Sequence, residues 1–241
     1  MSEIAEKHEH FIQAGQWYLR ALEIFEQLGY ELNVIKGLKH LANLYYSLKE
    51  VLSRDNIQWH DAEKIIINAL EIMKKMTESE NPDNATTLYN FSLIYYYMKD
   101  CKKALPLCQR ALDIRKKVLG PQHLHVATTL SHLSLIYYHM KDYKTALLLC
   151  QKALDIREKV LGPQHPDVAR TLHNIAETYR QMGDYDKALP LYQRALEISE
   201  NVLGPQHPEV AITLDNLALL YCHMGDYEQA PPLFQRALRN S

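Results

Sequence analysis

Twelve histidines and four cysteines give this chain of 241 residues its widest chemical reach. An imidazole can ligate a metal or carry a proton, and a thiolate can attack or coordinate. His132, His139, His173 and His223 fall where one face of successive helices would carry them. Ligation would need fixed geometry and supporting partners that this spacing does not announce, so no metal is expected. Cys101, Cys108, Cys150 and Cys222 form no CxxC pair, which excludes a zinc or disulfide framework and suits a reducing compartment. Cys222 is a candidate thiol, while Cys108 and Cys150 sit at apolar positions and should be buried and inert. There is no GxSxG, HExxH, P-loop or dinucleotide glycine string. The expectation is a non-enzyme with no cofactor.

A second set of groups suits recognition rather than catalysis. His40, Asn90, His132, Asn174 and Asn216 stand at one recurring place. An asparagine amide offers a donor and an acceptor, which matches a peptide unit. Tyr89, Tyr96, Tyr97 and Tyr138 add apolar rings with polar tips, a residue type favoured at interfaces.

The elements that must position these groups are helices. Only 8 glycines occur, against a usual share of about 7%. That disfavours turn-dense β folds and Gly-rich phosphate loops. Hydrophobic residues at 47% and charged residues at 23% are ordinary globular values. With 27 Lys and Arg against 29 Asp and Glu, no nucleic-acid partner is expected. The start, MSEIAEKHEH, is polar and lacks an apolar run, so neither a signal peptide nor a membrane association is expected and the default location is cytoplasmic.

Self-comparison finds a period of 42. Leu119-Gly120-Pro121-Gln122-His123 returns as Leu161-Gly162-Pro163-Gln164-His165 and as Leu203-Gly204-Pro205-Gln206-His207. Segments 103–144 and 145–186 share 25 of 42 residues, and 145–186 and 187–228 share 26 of 42. Segment 61–102 joins the register, and upstream the offset becomes 50, with the extra residues near Ser53–Trp59.

Each unit reads as two helices. Pro166 and Asp167 open the first, where proline has no bond to lose and a carboxylate meets the positive helix end. Gly183 stops it, Asp184 caps the second, and Gly204-Pro205 ends that one. Small residues hold fixed places, Ala42, Ser92, Ser134, Ala176 and Ala218 in first helices and Ala62, Ala104, Ala146, Ala188 and Ala230 in second helices, so neighbouring helices can approach closely. Tyr95, Tyr137, Tyr179 and Tyr221 recur and should be core. One helix pair cannot bury its apolar face alone, so copies must stack as a solenoid. The fold class is all-α, a right-handed superhelix of about eleven helices in a single array over 1–241. Its parts are an N-terminal half repeat (1–30, with Ala14, Tyr18 and Ala21), a divergent repeat (31–78), regular repeats (83–119, 125–161, 167–203) and a C-terminal repeat (209–241).

At Ile175, Ala176, Tyr179, Gly183, Tyr185, Ala188, Tyr192 and Ala195 the sequence resembles the tetratricopeptide repeat. The 42-residue length and the Leu-Gly-Pro-Gln-His-Pro linker resemble the kinesin light chain subtype. The resemblance covers about residues 30–241. It departs from that subtype in lacking a heptad coiled coil and in carrying Pro106, Pro190 and Pro231-Pro232 early in second helices, where proline removes a backbone bond.

The resemblance implies that first helices line a concave surface. The places that vary between copies there are Thr86, Tyr89, Asn90, Leu93 and Tyr97 in one unit, Thr128, Ser131, His132, Leu135 and His139 in the next, Arg170, His173, Asn174, Glu177 and Arg180 in the third, and Asp215, Asn216, Leu219 and His223 in the fourth. Their steps of three and one put them on one helical face. Either this face is a groove for a protein or peptide partner, or it is solvated and drifts. The groove of the kinesin light chain subtype takes short acidic peptides with an aromatic residue. Here Glu177 and Asp215 accompany Arg170 and Arg180, so that preference is not carried over. Leu233, Phe234 and Leu238 form an apolar face with no following helix, which suggests self-association. A regulatory or sensing piece of a larger assembly is the alternative.

Overall fold

The computed structural model describes residues 82–239 throughout, together with helical positions 13, 15–17, 19–24, 27, 37, 40, 64, 67–69, 71 and 72. Ala14, Tyr18 and the enlarged loop near Ser53–Trp59 lie outside the described residues, as does most of the divergent repeat. The chain divides into two compact units, residues 1–121 and 122–241. The first contains the hairpin α1 (Pro82–Tyr97) and α2 (Cys101–Leu119). The second contains three hairpins: α3 (Leu124–His139) with α4 (Tyr143–Leu161), α5 (Pro166–Met182) with α6 (Tyr185–Leu203), and α7 (Pro208–Met224) with the shorter α8 (Ala230–Leu238). No strand occurs among the described residues.

The repeated linker is a stop-and-start cassette. Leu ends each second helix, and Gly120, Gly162 and Gly204 follow at φ 86° to 88°. Side-chain-bearing residues rarely adopt that region. Proline then continues the chain without a donor, and histidine caps the next helix. The Nδ1 atoms of His123, His165 and His207 accept the backbone N–H groups of His125, Asp167 and Glu209 at 3.1, 3.1 and 3.2 Å. Each imidazole thus does what an asparagine or aspartate does at an N-cap. Between paired helices, Gly183 and Gly225 take the left-handed region. Their register counterparts are Lys99 and Lys141, held at φ 61° and 64°. Asp100 and Asp142 cap α2 and α4 by accepting from Lys103 N and Thr145 N, both at 3.1 Å. Asp184 departs from expectation. It stands at the N-cap of α6 but makes no cap bond; its carboxylate accepts from Lys187 Nζ at 3.1 Å, an ion pair that Asp100 makes with Lys103 while still capping α2.

The prolines have two fates. Pro106 and Pro190 lie inside α2 and α6, yet both helices run 19 residues. Both rings are exposed, so water can serve the carbonyl left without a donor. Pro231 and Pro232 occupy the first turn of α8, where no backbone bond is at stake. The expected loss of a bond there does not arise. Instead α8 starts three residues after the register counterpart of Tyr185.

The core follows the repeat. Ser92, Ser134, Ala176 and Ala218, and opposite them Ala104, Ala146, Ala188 and Ala230, are all buried. Leu172, Ile198, Tyr192 and Leu214 fill the space between, each worth about 1.5–3 kcal/mol of burial. Composition is matched across each hairpin. Cys108 shares a hydrogen bond with Ser92, and Cys150 Sγ lies 3.0 Å from Ser134 Oγ. Where the second helix carries Tyr192, the facing small residue is Ala176. Burial pushes the Cys108 thiol up to about 12 and raises that of Cys150. Of the recurring tyrosines only Tyr95 is buried outright. Tyr137, Tyr179 and Tyr221 are half-buried at the edge of the packing, with their rings partly in water. No helix among the described residues is long and apolar enough to cross a membrane.

Candidate functional site

The varying face divides into residues that hold the repeats together and residues left open. In the first unit, Asn90 and Leu93 are buried, and Tyr89 lies half-buried under the Arg115 guanidinium, 4.6 Å from its ring centre. Thr86 Oγ1 donates back to Pro82 O at 3.2 Å, and Tyr97 is exposed beside Tyr96, edge to face at 5.5 Å. Burial, with the neighbouring Tyr97 and Cys101, raises the Tyr96 phenol to about 12.

In the second unit, α3 contributes mostly closed positions. Ser131 is 8% exposed and His132 4%. Arg157, 3% exposed and reaching from α4, donates through Nη1 to Ser131 Oγ at 3.0 Å and to Thr171 Oγ1 of α5 at 2.5 Å. One buried guanidinium therefore joins two successive hairpins. Thr128 donates to Leu124 O at 3.0 Å, and His139 is exposed, with its ring 5.4 Å from that of Tyr138.

On α5, Glu177 and Arg180 are already engaged. Glu177 Oε1 accepts from Tyr138 OH at 2.8 Å, Arg180 Nη2 at 2.6 Å and Gln181 Nε2 at 2.9 Å. Its Oε2 accepts from Arg180 Nε at 2.8 Å and Tyr192 OH at 2.6 Å. Burial pushes this carboxyl up, but the hydrogen bonds from Arg180, Tyr192, Gln181 and Tyr138 outweigh it and hold it at about 2. Five donors from α3, α5 and α6 converge on one charge, so this hub is structural.

His173 is held just as closely. Thr213 Oγ1 donates to Glu209 O at 2.9 Å, so it faces His173 Nδ1, 3.4 Å away, as an acceptor. Asn216 Nδ2 donates to Ile212 O at 3.0 Å and lies 3.3 Å from His173 Nε2. These partners select the neutral ring protonated on Nδ1. Burial lowers the pKa in the same sense, with smaller opposed influences from Glu177 and Arg180. The ring also meets Tyr192 edge to face at 5.3 Å.

What remains open centres on Asn174. Its side chain is half-buried and has no hydrogen-bond partner among the described residues. It lines two clefts. The smaller, about 40 Å³, lies between α3 and α5 beside Leu135 and Tyr138. The larger, about 230 Å³, lies between α5 and α7 over α6. Ala169, Ile212 and Arg170 form its sides, and His173, Ser199, Glu209 and Thr213 supply its polar atoms. Arg170 is exposed and ion-paired to Asp167. Asp215, Leu219 and His223 are exposed on α7, the last stacked on Tyr185 at 5.8 Å. Among the described residues no group of three or more His, Cys, Asp or Glu converges to hold a metal ion.

The sequence reading missed Ser199, Glu209 and Thr213, and it missed the part Arg157 plays. For Arg157 and Ser199 the signal lies in the second helices. Arg115, Arg157 and Ser199 share one register position, and the third breaks the series.

Stacked helical hairpins of constant length, joined by a repeated cap, define the class of α-helical repeat proteins. The tetratricopeptide repeat model matches residues 50–117, 83–159, 125–200 and 167–241. The chain belongs to the tetratricopeptide repeat family, whose fold generally mediates protein–protein interaction. Its solved structural neighbours include BtubC (BKLC) from P. vanneervenii, 22% identical with a TM-score of 0.74, covering 100% of this chain and 91% of that one. A kinesin light chain-type protein of Podospora anserina, with nearly identical TPR-like repeats, is 20% identical with a TM-score of 0.70, covering 84% and 95%. Aspartyl phosphate phosphatase F from Bacillus subtilis is 19% identical with a TM-score of 0.68, covering 91% and 54%. At these identities the likeness is one of fold. Among curated proteins no sequence matches.

Proposed function

We propose that the second unit is a non-catalytic binding module that holds an extended segment of a protein partner along α5 and α7. The observation that carries this reading is the Asn174 amide, which lines both clefts and has no partner among the described residues. A half-buried amide without a partner leaves hydrogen-bonding capacity unused, and a peptide unit supplies the missing donor and acceptor together. Exposed Ile212 and Leu219 offer apolar contact on the same side of α7.

The test uses peptides selected from a random display library on the full chain. Fluorescence anisotropy then compares the wild type with Asn174→Ala. Loss of one bidentate amide should weaken binding about tenfold, from roughly 1–1.5 kcal/mol. Unchanged affinity, with helicity intact by circular dichroism, would refute the reading.

A further inference from the structure

The 230 Å³ cleft occupies the place where the preceding hairpin keeps an arginine. Ser199 stands 42 residues after Arg157, Thr213 after Thr171, and His173 after Ser131. One hairpin earlier, the Arg157 guanidinium fills the corresponding space and donates to Thr171 Oγ1, whose own hydroxyl donates to Asp167 O at 2.7 Å. Thr213 repeats that arrangement, donating to Glu209 O at 2.9 Å and turning its lone pairs to the same side. There it meets only His173 Nδ1, at 3.4 Å. The floor of the cleft is Ser199, 3% exposed and without a hydrogen-bond partner among the described residues. The hydroxyl opens onto the cleft, where an entering group can reach it. The carboxylate of Glu209 also borders the cleft and has no ion-pair partner among the described residues.

From this geometry we propose that the cleft is a slot for an arginine side chain of the partner segment, which restores the guanidinium that Ser199 has removed. The inference rests on the binding reading above and adds the chemistry of the partner. The polar residues at the cleft suit a guanidinium: Ser199, Thr213, Asn174 and Glu209 all border a mostly apolar space and carry side-chain acceptors. A planar fork of five donors can reach several of them together, whereas an ammonium is a strongly hydrated point charge. The cationic rim residue Arg170 does not oppose entry strongly, because Asp167 already pairs with it. Ala169 and Ile212 are placed to take the aliphatic stem.

The probe is N-acetyl-arginine methylamide, titrated into the isotopically labelled full chain and read by the NMR signals of Ile212 and Thr213. Saturable shifts are expected, at least tenfold weaker with the citrulline analogue, which has the same shape without the charge, and weaker with the lysine analogue. Glu209→Gln should weaken the arginine response several-fold. Ser199→Arg should abolish it by supplying the guanidinium in cis; circular dichroism checks that each variant is folded. Equal binding of citrulline and arginine, or a response that survives Ser199→Arg, would overturn the slot. Library-selected peptides separate this proposal from the one it rests on. Peptides that carry no arginine and bind Ser199→Arg as well as wild type overturn the slot and leave the binding face standing. An arginine response with no peptide enriched supports the slot and overturns the extended binding face.

Discussion

Replacing Glu177 by glutamine should destabilise the second unit by about 2 kcal/mol at neutral pH. Glutamine keeps the shape but turns one acceptor into a donor. Five donors converge on the two oxygens, so the new amide meets donor against donor. Arg180, whose side chain is only 14% exposed, loses its counter-charge. Hydrogen bonds to a charged group are worth about 1.5–3 kcal/mol, and an unpaired half-buried cation adds to the loss. A second route gives the same size. The carboxyl is held at about 2 against an ordinary 4.5. At about 1.4 kcal/mol per unit that is roughly 3 kcal/mol, reduced to about 2 because solvent reaches part of the group.

The sign in pH follows. The folded-state pKa lies below the unfolded one, so the contribution is complete above about pH 4.5 and is lost as pH falls towards 2. Urea unfolding followed by circular dichroism at several pH values reads the difference between wild type and variant. The gap should be full at pH 7, shrink below pH 4 and nearly close by pH 2. At pH 7 the melting temperature should fall by about 4–8 °C for a chain of this size. Tyr192→Phe should cost about 1 kcal/mol in the wild type and almost nothing in the Glu177→Gln background. A gap below about 0.5 kcal/mol, or one that ignores pH, would show that the hub contributes nothing beyond geometry.

Three further outcomes are expected. Lys141→Gly should stabilise by about 1 kcal/mol in thermal or urea melts, because Lys141 holds φ 64° where its counterparts Gly183 and Gly225 relax without strain; a loss of stability would mean the lysine side chain is needed. His165→Ala should cost about 1 kcal/mol and His165→Asn much less, since either Nδ1 or an amide oxygen can accept the Asp167 N–H; equal losses would remove the cap from the explanation. Native protein should show Cys101 and Cys222 to a thiol reagent, with Cys108 and Cys150 reacting only on unfolding; rapid reaction of all four would contradict the burial of the Ser-Cys pairs.

The fold was legible because its signals are local and repeated. Leu-Gly-Pro-Gln-His places a helix end, a positive φ, a donor-free residue and a cap within five positions, and the helix limits of α3 to α7 follow from it. Matched small residues announced the close helix contacts. Less legible was the state of single side chains. Asp184 repeats the capping aspartates Asp100 and Asp142 in sequence and pairs with Lys187 as Asp100 pairs with Lys103, yet it makes no cap bond, a difference that no residue type announces. The double proline before Leu233 reads as a broken helix and is in fact a late start.

Variation between copies has two physical meanings, and sequence alone does not separate them. A position can differ because it faces solvent or a ligand, or because neighbours on another helix changed with it. Tyr89, Ser131 and His173 differ at one register place, and each answers a different partner: the Arg115 guanidinium above a ring, the Arg157 guanidinium on a hydroxyl, and Thr213 with Asn216 around an imidazole. The junction chemistry was exchanged as a set. Asn174 differs from its neighbours in the opposite sense, since nothing among the described residues answers it. Ser199 belongs with Asn174: it stands where the two preceding copies carry Arg115 and Arg157, and no side chain among the described residues bonds its hydroxyl. The Ser199 hydroxyl and the Asn174 amide, both without a partner among the described residues, border the same open cleft. It is this shared lack of an internal partner, more than variability, on which the proposed binding role of the α5–α7 cleft rests.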